Sequence, residues 1–336
     1  QSYFFGLLPQ TPGRLITQQM QYFRAFRHCF FRFEKIFAKL WAGGVLLRLK
    51  ISCYLAASRK ISFSEVKMRF CLIIFSLVLA FASPALAHFG MIIPSSSTVM
   101  DKAEADLALQ ISFSHPFARQ GMDMAVPEKF GVYQDGKYTD LLSTLREEKI
   151  MGSAAFRANY KIARPGVYSF AVEPKPYFEP AEDCFIIHYA KTVVGAFGAE
   201  DGWEKPLGLK IEIVPKLRPF ANYAGNVFVG QALLDGKPLA NAVVEVEALN
   251  RGNAHGAPNG YFETQTLYCD ENGIFAFGIP WAGWWGFAVL AEGSETMKHE
   301  GAEKAVELGA TLWLEFVEPM SAKKQAAKQD GSLWKE

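Results

Sequence analysis

Short stretches in which apolar and polar residues alternate follow one another from residue 88 to residue 216, separated by Gly, Pro and Asp. In Leu107–His115 every second residue is apolar, which is typical of a strand with one buried face. His115 falls on that face, at the end of the strand. Cys184–Ala190 is apolar on both faces, as expected of a central strand, and it contains His188. The pattern predicts an antiparallel β-sandwich over residues 88–216.

The alternation continues from residue 217 to residue 318, after a short junction. Asp235-Gly236 is a typical hairpin turn between two apolar runs, and so is Asp135-Gly136 in the first half. About seven short strands with regularly spaced turns are typical of an immunoglobulin-like sandwich. The predicted fold is therefore all-β, with two consecutive immunoglobulin-like antiparallel β-sandwich domains, 88–216 and 217–318.

A secretory signal is predicted immediately before the first sandwich, at residues 68–87. Met68 and a basic residue are followed by an apolar run of about 13 residues, which is long enough for a signal peptide and short for a membrane span. Small residues at Ala85 and Ala87 complete the pattern that signal peptidase cleaves. Cleavage between Ala87 and His88 would give a periplasmic protein whose first residue is histidine.

Two terminal segments lie outside the predicted domains. Residues 1–67 are basic and lack a clear period, and we interpret them as a spurious upstream extension rather than a membrane-active or nucleic-acid-binding arm. Residues 319–336 are polar and lysine-rich, as expected of a disordered tail. From His88 onward, 23 basic residues face 32 acidic ones, a net charge of −9. This charge disfavours nucleic-acid partners.

Two cysteines, Cys184 and Cys269, follow the predicted signal, and they could form one disulfide or remain as buried thiols. The sequence contains no C-x-x-C motif, which argues against a redox site or a structural zinc site. No run of 18 apolar residues follows the signal. We therefore expect a protein that is soluble, or peripheral to the membrane at most.

The candidate chemistry is metal binding by histidine. A terminal His88 offers an amine and an imidazole on one residue, and His115 and His188 lie on inward-facing strands. Nitrogen-rich sites of this kind suit Ni(II) and Cu(II). Met91 and Met122 could add a thioether ligand. The alternative is that the histidines and methionines simply fill the core.

Several segments carry a resemblance to a known family. His88–Pro94, Ser112–Phe117 and Pro180–Tyr189 resemble the exported family known as the nickel-uptake substrate-specific region. The second half, with its Asp235-Gly236 hairpin and its Gly283–Val289 strand, resembles the carboxypeptidase-regulatory or prealbumin-like sandwich. The similarity runs from His88 to Phe316. The family name includes a transmembrane region, which the chain after the signal lacks, so the resemblance implies a periplasmic component rather than the permease.

The resemblance implies binding of nickel, with cobalt as an alternative, for uptake through the membrane components of an energy-coupling-factor type nickel or cobalt transporter. The expected ligands are His88, His115, His188, Met91 and Met122. On this view the protein is not an enzyme. A second hypothesis is a copper monooxygenase, in which the terminal histidine and one other histidine form a histidine brace around Cu(II). A third is a structural or adhesive sandwich that binds no metal.

Overall fold

The computed structural model describes residues 88–180 and 182–320, and it is nearly all β. The predicted all-β sandwich fold is confirmed. The predicted extension at 1–67, the signal at 68–87 and residues 321–336 of the predicted tail lie outside the described residues. No helix in the described part of the chain is long and apolar enough to cross a membrane.

The strands and short 3-10 helices of the described residues follow one another in chain order. The strands are β1 (Phe89–Pro94), β2 (Thr98–Val99), β3 (Asp106–His115), β4 (Gln120–Met122), β5 (Lys129–Gln134), β6 (Lys137–Asp140), β7 (Arg146–Ile150), β8 (Ser153–Lys161), β9 (Gly166–Glu173), β10 (Tyr177–Glu179), β11 (Cys184–Ala196), β12 (Ile211–Pro215), β13 (Asn222–Tyr223), β14 (Val227–Leu234), β15 (Lys237–Pro238), β16 (Val243–Ala248), β17 (Gln265–Tyr268), β18 (Ile274–Gly278), β19 (Gly283–His299) and β20 (Ala302–Val317). The 3-10 helices span Lys102–Glu104, Leu142–Thr144, Arg251–Asn253 and Gly260–Phe262.

Three sheets build the described fold. The first has the order β1-β3-β8-β7, with β4 beside β3. The second has eleven strands, eight of them in the order β17-β16-β19-β20-β11-β9-β5-β6. The third has the order β12-β14-β15, and β18 also pairs with β14, on the side away from β12. The large sheet therefore runs through both halves of the chain, and each smaller sheet packs on one half of it.

The two halves of the large sheet meet where β11 and β20 pair in parallel, from Cys184 opposite Ala305 to Thr192 opposite Trp313. Periodicity did not predict this junction, because an apolar run shows that a strand is buried but not which strand it pairs with. The segment Ile211–Pro215, expected to end the first domain, pairs with β14 of the second half. The predicted sandwiches thus share a sheet.

Two main cores fill the spaces between the sheets. One lies between β3 and the first half of the large sheet, where Leu107, Leu109 and Ile111 are at most 1% exposed. This confirms the face predicted for β3. The other lies between the third sheet and β16, β19 and β20, and it contains Phe228 and Phe287. Successive side chains of β11 face different surroundings, because neighbouring residues of a strand point to opposite faces of the sheet.

The two predicted hairpin turns are confirmed by their backbone angles. Asp135 and Gly136 have φ of 50° and 74°, and Asp235 and Gly236 have φ of 51° and 73°. Positive φ at both central residues is the requirement of a two-residue type I′ turn, which matches the twist of the flanking strands. The first turn joins β5 to β6, and the second joins β14 to β15.

Candidate metal centre

His88 and His115 are cross-strand neighbours. The β1–β3 ladder pairs Phe89 with Ser114, so the residue before Phe89 lies opposite the residue after Ser114. The two imidazole centroids are 4.8 Å apart, and the rings are tilted by 50°. His88 also stacks on Phe113, with a centroid distance of 5.7 Å. The sheet register therefore brings together two histidines that are 27 positions apart in the chain.

His188 approaches this pair from the large sheet, through a gap that two glycines leave open. Its ring meets Phe113 edge-on at 5.9 Å. A Cβ on Gly309, which lies opposite His188 on β20, would stand 2.2 Å from Cδ2 of that ring. A Cβ on Gly90 would stand 2.8 Å from the carbonyl oxygen of His188. A side chain at residue 309 would displace the imidazole, and one at residue 90 would push against the backbone of His188.

The strand that leads from His88 is fixed to the large sheet by its own backbone. The carbonyl oxygen of Gly90 accepts hydrogen bonds from Thr311 Oγ1 at 2.6 Å and from Trp313 Nε1 at 2.9 Å. Both donors are buried side chains of β20. Buried, fully bonded polar groups of this kind specify one relative position of the packed strands. The histidines of two sheets are thereby held in register.

The two ring nitrogens of His188 have different surroundings. Nε2 lies 3.1 Å from Glu307 Oε1, while Nδ1 is buried and has no hydrogen-bond partner among the described residues. A neutral imidazole beside this carboxylate carries its proton on Nε2, where it can donate a hydrogen bond, and Nδ1 then has a lone pair. A buried nitrogen without a partner is costly, so Nδ1 is suited to a ligand that needs a lone pair.

His88 is largely buried, and its imidazole is neutral at neutral pH. Burial first, and then the nearby imidazoles of His115 and His188, lower the pKa of His88 from 6.5 to about 4. Glu179, whose Oε2 is 3.4 Å from Nε2 of His88, acts against this shift. Neutral imidazole is the form that binds metal ions.

Carboxylates surround the histidines on the side of β16 and β20. Burial first, and then the charge of Glu307, raise the pKa of Glu245 to about 7. The same two causes, burial first, raise the pKa of Glu182 and bring that of the Cys184 thiol to about 11. Cys184 is thus a protonated thiol and a poor metal ligand at neutral pH. Both Cys184 and Cys269 are free, so the predicted alternative of two thiols holds.

The two candidate methionines lie in different surroundings. Met91 is 2% exposed and packs with Trp284 and Trp313 in a separate small core. Because β1 alternates, Met91 faces away from His88. Met122 pairs with Phe113 at the edge of the first sheet and is half-buried. The structure therefore groups the three histidines and leaves Met91 outside that group.

In residues 88–180 and 182–320, no three His, Cys, Asp or Glu side chains form a group arranged to hold a metal ion. The rings of His88 and His115 are tilted against each other, whereas His188 meets Phe113 edge-on and is close enough to His88 to affect its pKa. Metal binding would require the rings to turn until their nitrogens converge. His88 is the residue before β1, and its ring is held by Phe113, His115 and Glu179, so these contacts would have to change when a metal binds.

Sequence reasoning missed the partners of the histidines. Glu307 is 119 positions from His188, and Glu179 belongs to a short strand that was not predicted. One signal was present for the first of these. Glu307, Gly309 and Thr311 share a face of β20, and they interrupt its apolar pattern with small and polar residues. Such an interruption in a buried strand indicates a site rather than a core.

In a comparison with known protein families, residues 85–293 match the family described as "Domain of unknown function (DUF4198)". Since the match covers more than half of the chain, the protein belongs to this family. The matched region contains His88, His115 and His188. No curated protein matches the sequence.

Three solved structures illustrate the fold likeness. A crystal structure of titin domains has 9% identity and a TM-score of 0.17, and the alignment covers 68% of each chain. The fibronectin(III)-like modules of Clostridium thermocellum CbhA have 10% identity and a TM-score of 0.17, over 68% of this chain and 94% of theirs. The major pilin subunit BcpA of Bacillus cereus has 10% identity and a TM-score of 0.16, over 71% of this chain and 68% of its own. Likenesses this weak carry no information about function.

Proposed function

We propose that this DUF4198 protein binds one nickel ion at the cluster of His88, His115 and His188 and serves its uptake by a membrane transporter. Cobalt is the alternative cargo. The observation that carries the proposal is the environment of His188. Its ring is buried against Gly309, one nitrogen contacts a carboxylate, and the other nitrogen is buried without a partner in the described structure.

The contacts of the ring nitrogens indicate that His88 and His188 would bind a metal through the same type of atom, Nδ1. Nε2 of His188 contacts the carboxylate of Glu307, and Nε2 of His88 contacts that of Glu179. In metal sites, a carboxylate bonded to one ring nitrogen orients the imidazole and makes the other nitrogen the better ligand. Both residues would then offer Nδ1 to the metal. His115 would supply a third imidazole from the strand opposite His88.

Export would add a further donor at His88. Cleavage after Ala87 would leave an α-amine on the residue whose Nδ1 is proposed as a ligand, and the amine and Nδ1 of one histidine can chelate a single ion. Three imidazoles and one amine form a nitrogen-rich set, which suits Ni(II). Nickel is here the cargo, so the site needs to release it as well as bind it.

The charge around the cluster supports a cation as cargo. Glu179 and Glu307 contact two of the histidines, and Glu182 and Glu245 lie near enough to His188 for its charge to affect their pKa values. Carboxylates next to imidazoles raise the local concentration of cations and steer them to the site. The proposed partners are the membrane components of a nickel or cobalt transporter, and the location is the periplasm.

A second candidate function is a copper-dependent oxidative enzyme. The specific observation in its favour is the cross-strand pair of His88 and His115, with ring centroids 4.8 Å apart. A terminal histidine paired with one other histidine would be sufficient for a copper brace. This hypothesis does not need His188. The two functions therefore differ in the residue on which metal binding depends, as well as in the metal.

The test is the intact mass and metal content of protein exported through its own signal, with nickel, cobalt and copper supplied together. The proposal expects a chain that begins at His88 and carries one nickel or cobalt ion. His188→Ala should abolish binding. His255→Ala is the matched control, because His255 is an exposed imidazole that stacks on Trp281.

Other outcomes contradict the proposal in distinct ways. Copper that survives His188→Ala, together with peroxide-dependent turnover, would support the enzyme instead. Protein that carries no metal in any form would support a structural sandwich. Circular dichroism of each variant separates loss of a ligand from loss of the fold, and His188→Gln provides a polar replacement if the alanine variant unfolds.

A further inference from the structure

The strand β11 carries a second group of side chains on the face opposite His188. Tyr189 is the next residue along the strand, and it lines a cleft of about 560 Å³. The cleft lies between the outer face of β5, β6, β9 and β11 and two turns, Gly208–Lys210 and Asp235-Gly236. Its size is that of small-molecule binding pockets. The metal proposal uses none of these residues.

Three tyrosines, Tyr133, Tyr138 and Tyr189, form the aromatic part of the cleft. Tyr133 and Tyr138 are direct cross-strand partners, with ring centroids 5.0 Å apart. The ring of Tyr138 lies against Gly131, where a Cβ would stand only 2.4 Å from Cε2. The position of Tyr138 thus depends on the absence of a side chain at residue 131. The cleft presents aromatic faces in a fixed arrangement.

The charged groups of the cleft neutralise one another in pairs. Lys129 Nζ is 2.9 Å from Glu173 Oε2, and Lys210 Nζ is 2.9 Å from Asp235 Oδ1. The cleft therefore holds two positive and two negative charges. An anionic or cationic ligand would have to break one of these pairs. An uncharged ligand could hydrogen-bond to all four groups without separating them.

A buried ion pair supports one wall of the cleft. Lys191 Nζ lies 2.6 Å from Glu212 Oε1, and both side chains are at most 4% exposed. The same carboxylate accepts hydrogen bonds from the backbone N–H groups of Leu207 and Gly208, at 2.9 and 3.1 Å. Gly208 lines the cleft. The turn that closes the cleft is therefore anchored to β11 and does not depend on a ligand for its position.

We infer that this cleft binds an uncharged saccharide. Tyrosine offers an apolar ring face together with a hydroxyl group, and a sugar ring offers C–H groups on its faces and hydroxyls at its edge. The paired lysines and carboxylates supply both donors and acceptors for those hydroxyls. Fixed aromatic walls, balanced charge and a preformed turn all match a neutral ring with many hydroxyl groups.

The experiment is a calorimetric and NMR titration of the full chain with cellobiose, maltose and N,N′-diacetylchitobiose. At least one of these probes should bind, and Tyr138→Ala should weaken binding at least roughly tenfold. Gly131→Ala keeps all three tyrosines, but its methyl group would meet both the ring of Tyr138 and the carbonyl oxygen of Thr139, so it should weaken binding as well. Tyr268→Ala is the matched control, because Tyr268 is 66% exposed and lies on β17.

Each of three results would overturn the inference. One is that no neutral probe binds at millimolar concentration while the wild-type chain is folded. Another is that Tyr138→Ala and Tyr268→Ala have equal effects. Binding of a zwitterionic amino acid in preference to every sugar would also contradict it. His188→Ala should leave sugar binding unchanged, so the failure of this inference is distinguishable from the failure of the metal proposal.

Discussion

The two faces of β11 show opposite ways of handling polar groups. On one face, His188 is 3% exposed and lies among other imidazoles in a gap between packed sheets. On the other, Tyr189 lines an open cleft whose lysines are paired with carboxylates. On the first face, burial lowers the pKa of His88. On the second, the charged groups that line the cleft are paired and in contact with water. Neighbouring residues on one strand thus serve very different chemistry because a strand alternates.

The largest expected effect on stability comes from the buried ion pair beneath the tyrosine face. Lys191→Met would leave Glu212 buried without its cation, and we expect the free energy of unfolding to fall by about 3–5 kcal/mol. Urea denaturation of the wild-type and variant chains measures this change. A loss under about 1 kcal/mol would show that the pair does not support this half of the fold.

The next largest effect concerns the gap that holds the imidazole. Gly309→Ala would place a methyl group against the ring of His188, and we expect a loss of about 1–3 kcal/mol together with weaker metal binding. In the His188→Ala background the same change should cost much less, because the ring that it displaces is gone. Equal costs in the two backgrounds, measured as a double-mutant cycle, would contradict this account of the gap.

A pH-dependent effect distinguishes the histidine face. The folded pKa of His88, about 4, lies below its ordinary value of 6.5, so the unfolded chain binds more protons between these values. Metal-free protein should therefore lose stability as the pH falls from about 6.5 to about 4. His88→Ala should remove about 1–2 kcal/mol of this dependence, since the residue is not fully buried.

Denaturation at several pH values, with a chelator present, measures the difference between the two chains. Glu245 and Glu247, whose folded pKa values are raised to about 7 by burial, contribute in the opposite direction in both chains. Subtracting the variant curve from the wild-type curve isolates His88. A flat difference curve would contradict the burial of this imidazole.

The smallest effect is expected at the rim of the tyrosine cleft. Lys129 is paired with Glu173 in water, and the hydrogen bond that the lysine donates to this carboxylate raises the pKa of the lysine. Lys129→Met should change stability by less than about 1 kcal/mol, in contrast to Lys191→Met on the same face. Thermal denaturation at low and high salt checks this prediction. A loss as large as that of Lys191→Met would remove the distinction between buried and exposed pairs.

The local parts of the fold were predictable from the sequence, and the long-range parts were not. The alternation in Leu107–His115 predicted the buried face of β3, and two Asp-Gly pairs predicted two hairpins. The parallel contact of β11 with β20 joins segments more than 100 residues apart, and no local pattern encodes such a pairing. The predicted division into two domains remains a prediction, although one sheet spans both halves.

The candidate site shows the same limit. His115 and His188 could be placed on inward-facing strands because each strand had a recognisable pattern. Their contacts with one another could not be predicted, because they depend on how two sheets pack. Glu307 and Gly309 were missed for the same reason, since their importance arises only from their position opposite His188. The tyrosine cleft also requires side chains from both halves of the chain.

The most direct test of the central claim is a nickel titration of the exported chain, compared with His188→Ala and Tyr189→Phe. These neighbouring residues lie on opposite faces of β11, so general damage to the strand would affect both variants. We predict one nickel site in the wild type, an affinity reduced roughly 100-fold or more in His188→Ala, and no change in Tyr189→Phe. Equal affinity in all three chains, or no nickel bound by the wild type, would contradict the account.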